Sequence, residues 1–351
     1  MATEVAPPRT DSVDTQRMRA TMSRVLAAWT NSAQPIEQFH TGIPNGTLPD
    51  AERLELQRKA IVGVLKQTGL GSTSNEHTVI EFGAGDGKLS RAIFQNGIGK
   101  HFVLVDKSQQ RLDRTQRASN GTDEFEPTQL CADVGTLRPD ELRAVAQKGP
   151  ATDGCIALSN HMCGAALDQA VVCSLAAWDP RGQADAASGA ATPAQALCGM
   201  VAVTCCHHVC TRDTFLGMRF LREVGLEADF ELIRQWSRMA PRRERAATSR
   251  PKVVETAQRL GITPDEAAEL GSRCRQLMDT GRARFLEQQG FKVSLVHHVP
   301  FTLTADHVAL VAVNVSGMDG ASEQESCTSS LAEQMAQMCE PGSEQEQGPV
   351  Q

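Results

Sequence analysis

One stretch, residues 78–90, combines residue types that suit binding of a nucleotide-like ligand. An acid near the end of a short apolar run is followed by small residues: Glu81, Gly83, Ala84, Gly85 and Gly87. Glycines let the backbone approach a ligand closely, and the first turn of a following helix directs free N–H groups at it. A dinucleotide-binding turn would have its third glycine at position 88, which is Lys88. The spacing therefore disfavours a dinucleotide, and a purely structural strand-to-helix turn stays open.

Two acids follow later apolar runs and could complete a cofactor site. Asp106 ends the run 101–106 and lies 21 residues after Gly85. An acid at about this distance, roughly 20 residues, holds ribose hydroxyls in Rossmann-like folds. Asp133 could face an adenine amine, or could serve as a loop acid or a helix N-cap.

Histidine and cysteine concentrate in two strings, Asn160–Cys163 and Cys205–Cys210. Imidazole and thiolate are the usual ligands of zinc. The strings contain no Cys-x-x-Cys pair, however, and adjacent residues of a strand point to opposite sides. We therefore predict no metal, and a polar wall that faces the substrate, formed by Cys206, His207 and His208.

Apolar runs that alternate with helix-compatible stretches predict the elements that position these residues. Five strands alternate with helices and two more strands follow: 79–82, 101–106, 129–134, 154–159, 199–204, 291–299 and 307–315. This order predicts an α/β fold with a seven-stranded sheet, parallel except for one strand, and helices on both faces. Ligands bind such sheets at the carboxyl ends of the strands, where all the candidate residues fall.

Composition predicts one α/β domain with polar extensions. We expect a partly disordered N-terminal extension (1–49), the domain itself (50–316) with a flexible Ala/Gly-rich insertion (180–196), and an acidic disordered tail (317–351). The formal net charge is −7, and the tail holds seven acids and no Lys or Arg, so the remainder is neutral overall. No apolar run approaches the roughly 18 residues of a membrane span. The 11 cysteines, several of them in apolar runs, favour reduced thiols in a cytoplasmic or nuclear protein.

Basic residues cluster between Arg234 and Lys252, where seven Lys and Arg face a single acid, Glu244. Such a run usually forms a solvated surface, but it could also contact phosphates. The candidate phosphate contacts are Arg242, Arg243 and Arg245.

Four segments, in the order in which they occur, closely resemble the tRNA:m(4)X modification enzymes: 81–90, 104–107, 161–168 and 205–210. The glycine turn is also similar to motif I of class I methyltransferases. The resemblance covers roughly residues 50–315. It implies a Rossmann-like class I methyltransferase that transfers a methyl group from S-adenosylmethionine (SAM) to the ribose 2′-hydroxyl of nucleotide 4 in the tRNA acceptor stem. The glycine turn, Asp106 and Asp133 would then bind SAM.

The chain departs from the family pattern in two places. Family members usually carry N-terminal zinc-binding Cys/His modules, and residues 1–50 contain no cysteine. The family also has a lysine where this chain has Asn160, which puts activity in question. The open alternatives are therefore a methyltransferase for another substrate, or a SAM- or RNA-binding homologue without catalysis.

Methyl transfer to a ribose hydroxyl needs alignment and a base. His161 is the candidate base, with the alternative that it is a structural histidine bonded to backbone. We group Asn160 and His208 with it as candidate catalytic residues, and we expect Cys206 and His208 to shape the ribose pocket. Oligomeric state is left open by the sequence.

Overall fold

A computed structural model describes residues 12–39, 48–71, 76–118, 124–150, 152–178, 196–242 and 246–315. The predicted acidic tail lies outside these residues, as does the predicted insertion apart from Ala196, which begins a strand. No described helix is long and apolar enough to cross a membrane.

One mixed sheet forms the centre of the molecule. Its strands are β1 (Ile36–Gln38), β2 (His77–Phe82), β3 (His101–Asp106), β4 (Thr128–Cys131), β5 (Gly154–Cys163), β6 (Ala196–Cys205), β7 (Phe291–His297) and β8 (Val308–Asn314). The spatial order is β1-β7-β8-β6-β5-β2-β3-β4. Only β8 runs antiparallel to its neighbours, β6 and β7, so the prediction of a single antiparallel strand is confirmed within the described sheet.

The predicted number of seven strands is wrong, because β1 adds an eighth. This strand pairs in parallel with β7, with Ile36 opposite Leu295. Three residues are too few to show an alternating pattern, and the surrounding segment reads as turn-rich. The strand exists only because the exposed edge of β7 supplies its hydrogen-bond partners, which no local pattern reveals.

Helices cover both faces of the sheet, as predicted. They are α1 (Val13–Ser32), α2 (Asp50–Gln67), α3 (Lys88–Gln95), α4 (Gln109–Ala118), α5 (Pro139–Ala146), α6 (Ala165–Ala177), α7 (Met218–Glu223), α8 (Phe230–Trp236), α9 (Pro251–Leu260) and α10 (Pro264–Gln288). Helices α2 and α3 share one buried cluster with the sheet, and α5, α6 and the end of α10 share the cluster on the other face. A third cluster joins α1, α7, α8, α9 and the first half of α10.

Helix α1 is anchored to this third cluster. Arg24 and Thr21 both bond to the buried carboxylate of Asp229, and the Trp29 indole donates to Gln276 at 2.7 Å. Since a buried carboxylate is costly without partners, the contact fixes α1 against α8. Helix α1 therefore packs on α8 and α10, and strand β1 extends the sheet beside β7.

Candidate active site

The carboxyl ends of the parallel strands carry the glycine turn and the predicted acids. Asp106, the last residue of β3, is 5% exposed. Its Oδ2 accepts the N–H of Gly85 at 2.9 Å, and its Oδ1 accepts the N–H of Ser108 at 2.8 Å. Each carboxylate oxygen has capacity for a second bond. Asp106 can therefore hold the turn in place and still accept hydroxyl groups of a ribose.

The glycines of the turn differ in what they face. Gly85 has φ of 60°, and a Cβ placed on it would meet nothing within 4 Å. Gly87 has φ of 67°, but a Cβ there would lie 2.8 Å from Leu104 Cδ1. Ala84 packs with Leu104 and Leu112 in a small buried cluster. Gly85 thus borders the open space where a cofactor could approach the backbone, whereas Gly87 and Ala84 allow the turn to pack on β3 and α4.

Glu81 is buried beneath the turn, with 3% exposure. Its Oε2 accepts the N–H of Ser90 at 3.0 Å and the Ser90 hydroxyl at 2.6 Å. Burial raises the pKa of Glu81 to about 7, against the opposing effect of the Ser90 hydrogen bonds. The acid therefore ties α3 to β2 and is held close to the midpoint of its titration at neutral pH.

Two buried polar atoms near the turn favour a bound polar ligand. Ser159 lies opposite Phe82 in the β2–β5 ladder, and Asn160 follows it. The hydroxyl of Ser159 and the Oδ1 atom of Asn160 have no hydrogen-bond partner among the described residues. Buried polar groups are normally paired, so these two atoms fit the ammonium and hydroxyl groups that SAM would present.

Asp133 behaves as a turn residue in the structure. Its Oδ1 accepts the N–H of Gly135 at 2.9 Å, and its carbonyl accepts the Thr136 hydroxyl at 3.2 Å. The loop-acid alternative thus describes its observed bonds. Its predicted contact to adenine stays a prediction.

His161 occupies a strained bulge near the end of β5. Its φ is 63°, and the β5–β6 register shifts between Asn160 and Met162. Nε2 lies 3.0 Å from Oε1 of Gln57, and Nδ1 lies 3.7 Å from Oδ2 of Asp306. Burial lowers the pKa of His161, and the Asp306 carboxylate offsets part of this effect. The ring is therefore positioned by two side chains and is neutral near pH 7.

The two Cys/His strings meet at the ends of β5 and β6. The Sγ atoms of Cys163, Cys205 and Cys206 lie within 4.8 Å of one another. The expectation that residues 205 and 206 point to opposite sides is wrong, because Cys206 leaves the strand with φ of 44° and ψ of 41°. Hydrogen bonding to Cys205 lowers the pKa of Cys206 to about 6, while bonds to Cys163 and Cys206 raise that of Cys205.

His207 points into a buried charge network. It is 2% exposed, and its Nε2 lies 2.8 Å from Oδ1 of Asp279. Asp279 also accepts the Thr204 hydroxyl at 2.9 Å and the Arg282 guanidinium at 3.0 Å. Arg282 in turn pairs with Asp168 at 2.8 Å. The network joins β6, α6 and α10 behind the strand ends, so one nitrogen of His207 is already committed.

His208 lies in a positively charged environment. Burial lowers its pKa, and the positive charges of Arg238, Arg275 and Arg242 lower it further. Arg238 and Arg242 are exposed, and neither forms an ion pair within the described ranges. Two further predicted phosphate contacts, Arg243 and Arg245, lie outside the described residues.

A cavity of about 260 Å³ adjoins this edge of the sheet, between the end of β6, the segment after β7, and α10. The imidazoles of His297 and His307 stack inside it with ring centroids 4.6 Å apart and an interplanar angle of 2°. Phe301 meets His307 edge-on at 5.4 Å. The Nδ1 atoms of His297 and His207 are buried without a partner in the described part of the chain. The cavity is thus lined by flat aromatic and imidazole rings, and two of its histidines have a ring nitrogen without a described hydrogen-bond partner.

Sequence reasoning missed Gln57, Arg275 and Asp306, which surround His161 and Cys206. Asp306 lies 3.6 Å from Arg275 in addition to its contact with His161. Gln57 is 1% exposed and stands four residues before Ile61, on the buried stripe of α2. A polar residue on an apolar stripe is a usable signal for Gln57. Asp306 lies in a loop, where sequence offers no comparable signal.

Comparison with known families identifies the family of the chain. The family model described as Methyltransferase TRM13 matches residues 56–313, which is most of the chain. The chain belongs to this family. The matched segment begins within α2 and ends within β8, so it contains every described site residue.

Curated relatives carry the family name. The tRNA:m(4)X modification enzyme TRM13 of Yarrowia lipolytica is 25% identical over 73% of this chain and 58% of the relative. The human tRNA:m(4)X modification enzyme TRM13 homolog is 24% identical over 67% of this chain and 59% of the relative. The chain thus spans about three-fifths of the length of the curated relatives it matches.

Solved structures with a similar fold include magnesium protoporphyrin IX methyltransferase from Synechocystis PCC 6803 with bound SAM. That structure shares 11% identity, covers 88% of this chain and 100% of its own, and has a TM-score of 0.36. A putative caffeoyl-CoA O-methyltransferase from Staphylococcus aureus shares 7% identity over 86% of this chain and 100% of its own, with a TM-score of 0.32. Neither likeness adds to the functional argument.

Membership of a methyltransferase family confirms the predicted cofactor, S-adenosylmethionine. The residues present fit it: an open backbone at Gly85, a carboxylate with spare acceptor capacity at Asp106, and the unpaired atoms of Ser159 and Asn160. The specific contacts of each residue to SAM are proposals.

Proposed function

We propose that the protein transfers the methyl group of SAM to a ribose 2′-hydroxyl at nucleotide 4 of the tRNA acceptor stem. Its relatives are named tRNA:m(4)X modification enzymes, which supports tRNA as the substrate. The observation that carries the proposal is the position of the glycine turn and His161 at the carboxyl ends of the paired strands β2 and β5. Asp306, which lies 3.7 Å from His161, also lines the cavity of flat rings.

A ribose hydroxyl is a weak acid, so its proton must leave as the oxygen attacks. SAM supplies an activated methyl group on a sulfonium. His161 is neutral near pH 7 and is oriented by Gln57 at Nε2 and by Asp306 at Nδ1. Because the amide oxygen of Gln57 can only accept, Nε2 carries the hydrogen, and Nδ1 acts in this proposal as the base that accepts the hydroxyl proton. The Asp306 carboxylate, 3.7 Å from Nδ1, stabilises the imidazolium that forms.

The cavity would receive the nucleotide that carries the hydroxyl. Stacked His297 and His307, with Phe301 at their edge, form a surface on which a base can stack. The free Nδ1 atoms of His297 and His207 can bond to polar atoms of that base or its ribose. In this arrangement Cys206 and His208 border the ribose, as the sequence predicts.

Exposed arginines beside His208 would contact the phosphates. Arg238 and Arg242 have no described carboxylate partner, so their charges are free to replace counterions of an RNA backbone. Arg234 is different, because it is engaged by Glu231. Arg243 and Arg245 extend the same basic run in the sequence and belong to the proposed surface.

A second function is motivated by Asn160, which replaces the lysine that the resemblance implies. A neutral amide offers hydrogen bonds but neither a positive charge nor a base. The protein could therefore bind SAM and tRNA without transferring a methyl group.

Incubation of the purified full chain with methyl-labelled SAM and total tRNA separates these functions. Label in tRNA supports the first proposal. SAM binding without transfer supports the second, and label on added protein or small molecules points to a methyltransferase with another substrate. Where tRNA is labelled, His161→Ala is expected to lower kcat by about 10²- to 10⁴-fold while the Kd for SAM is unchanged. Wild-type kcat in that variant contradicts the assignment of the base.

A further inference from the structure

Three thiols at the strand ends form a cluster that neither the family name nor the proposed methyl transfer explains. Cys163 ends β5, Cys205 ends β6, and Cys206 follows it. Their Sγ atoms all lie within 4.8 Å of one another, and those of Cys163 and Cys205 are 3.4 Å apart. Four-coordinate zinc with Zn–S bonds of about 2.3 Å places its sulfurs about 3.8 Å apart. The Cys163–Cys205 distance is slightly shorter than this spacing, and the other two Sγ–Sγ distances do not exceed 4.8 Å.

Backbone strain brings the thiols together. Successive side chains of a strand point to opposite faces, so Cys205 and Cys206 would diverge in a regular strand. Cys206 instead has φ of 44°, and the bulge at His161, with φ of 63°, lies two residues before Cys163. Both values are uncommon for residues with a side chain, and such strain concentrates at functional sites.

We propose that Cys163, Cys205 and Cys206 bind one Zn²⁺ ion, with a water molecule as the fourth ligand. Three protein ligands and one open position are typical of zinc sites that are not purely structural. Binding converts three thiols into thiolates and releases their protons to solvent. Cys163 is exposed, so solvent can reach the cluster.

Charges around the cluster favour a cation with three thiolates. Zn²⁺ with three thiolates carries a net charge of −1. Arg275 lines the same cavity as Thr204 and His207, the residues on either side of the Cys205–Cys206 pair, and its guanidinium lies 3.6 Å from Asp306. The arginine can therefore offset the excess negative charge of the loaded site, which is a requirement for a partly buried ion.

Metal content of the full chain tests the proposal. Protein purified from zinc-supplemented cells under reducing conditions, then desalted, is analysed by mass spectrometry of the metal. We expect about one zinc per chain in the wild type, and at least about a tenfold lower content in Cys163→Ser and Cys206→Ser. The matched control is Cys198→Ser, at the opposite end of β6, which is expected to retain the zinc. Circular dichroism of each variant establishes that it is folded.

Titration of the zinc-free wild type with Cd²⁺ gives a second readout that does not depend on any variant. Thiolate-to-cadmium charge transfer with one equivalent bound supports the site. Wild-type protein without zinc that also gives no charge-transfer band overturns the proposal. So does equal loss of metal in Cys198→Ser, or zinc content unchanged in Cys163→Ser. Methyl transfer enters neither readout, so the result is independent of the proposed function.

Discussion

Replacing Glu81 by glutamine should make the protein more stable and the cofactor site weaker. Glu81 is buried beneath the glycine turn, and its pKa is raised from 4.5 to about 7 by burial. Glutamine keeps an oxygen that can accept both hydrogen bonds from Ser90, but it cannot ionise. The substitution therefore removes the cost of a buried negative charge while preserving the local bonds.

The size and sign of the stability effect follow from the two pKa values. Because the folded state binds the Glu81 proton more tightly, wild-type stability declines as the pH rises from 4.5 towards about 7. The full difference corresponds to about 3 kcal/mol at 1.36 kcal/mol per pH unit. The unfolding free energy of Glu81→Gln should exceed that of the wild type. This excess should grow by about 2–3 kcal/mol between about pH 5 and about pH 8.

Urea unfolding followed by tryptophan fluorescence measures this difference across the pH range. Calorimetry measures SAM binding in parallel. The resemblance to class I methyltransferases places the Glu81 carboxylate near the methionine moiety of SAM, so its loss should raise Kd by about 10- to 100-fold. A stability difference that does not change with pH would refute the reasoning about the buried charge. Unchanged SAM affinity would refute the role of Glu81 in the cofactor site.

Three further experiments test the glycine turn, the basic surface and the buried charge network. Gly85→Ala should weaken SAM binding at a stability cost of about 1–2 kcal/mol. Gly87→Ala should cost more stability, because its Cβ would lie 2.8 Å from a neighbouring side chain. Equal effects of the two variants on SAM affinity and on unfolding free energy would contradict these separate roles. Arg242→Ala should reduce the slope of log tRNA affinity against log salt by about 1, while Arg219→Ala, which breaks a surface ion pair, should leave it unchanged. Arg282→Met should lower the unfolding free energy by about 3–5 kcal/mol, because it removes the ionic partner of buried Asp168 and one of the partners of buried Asp279; a loss below about 1 kcal/mol in urea unfolding contradicts the network.

The parts of the fold that local pattern determines were predictable from sequence. The buried strands β2, β3 and β5 each contain a short, mainly apolar run, and the turn after β2 is marked by its glycines. Strand ends of a parallel sheet must share one edge, which is why Asp106 and Glu81 could be placed together. Strand β1 was not predicted because its partner in the described sheet, β7, lies far away in the sequence, with Ile36 opposite Leu295.

The geometry of the site was less predictable, because it depends on residues with left-handed backbone conformations and on loops that are distant in the sequence. The left-handed conformation of Cys206 reverses the expected direction of its side chain, and no residue type signals it. Asp306 reaches His161 from a loop 145 residues later in the chain, where an isolated acid looks like any surface residue. His207 looked like a substrate contact, yet burial commits one of its nitrogens to Asp279.

Mapping the position of the methyl group tests whether the protein methylates the ribose of nucleotide 4. Unmodified tRNA transcripts are incubated with the full chain and SAM, digested, and analysed by mass spectrometry for 2′-O-methylated nucleotides. We expect one methyl group on the ribose of nucleotide 4, formed at least about 100-fold more slowly by His161→Ala. A methyl group on a base, or on a ribose at another position, would contradict it, as would a chain that binds SAM and tRNA but leaves every nucleotide unmodified.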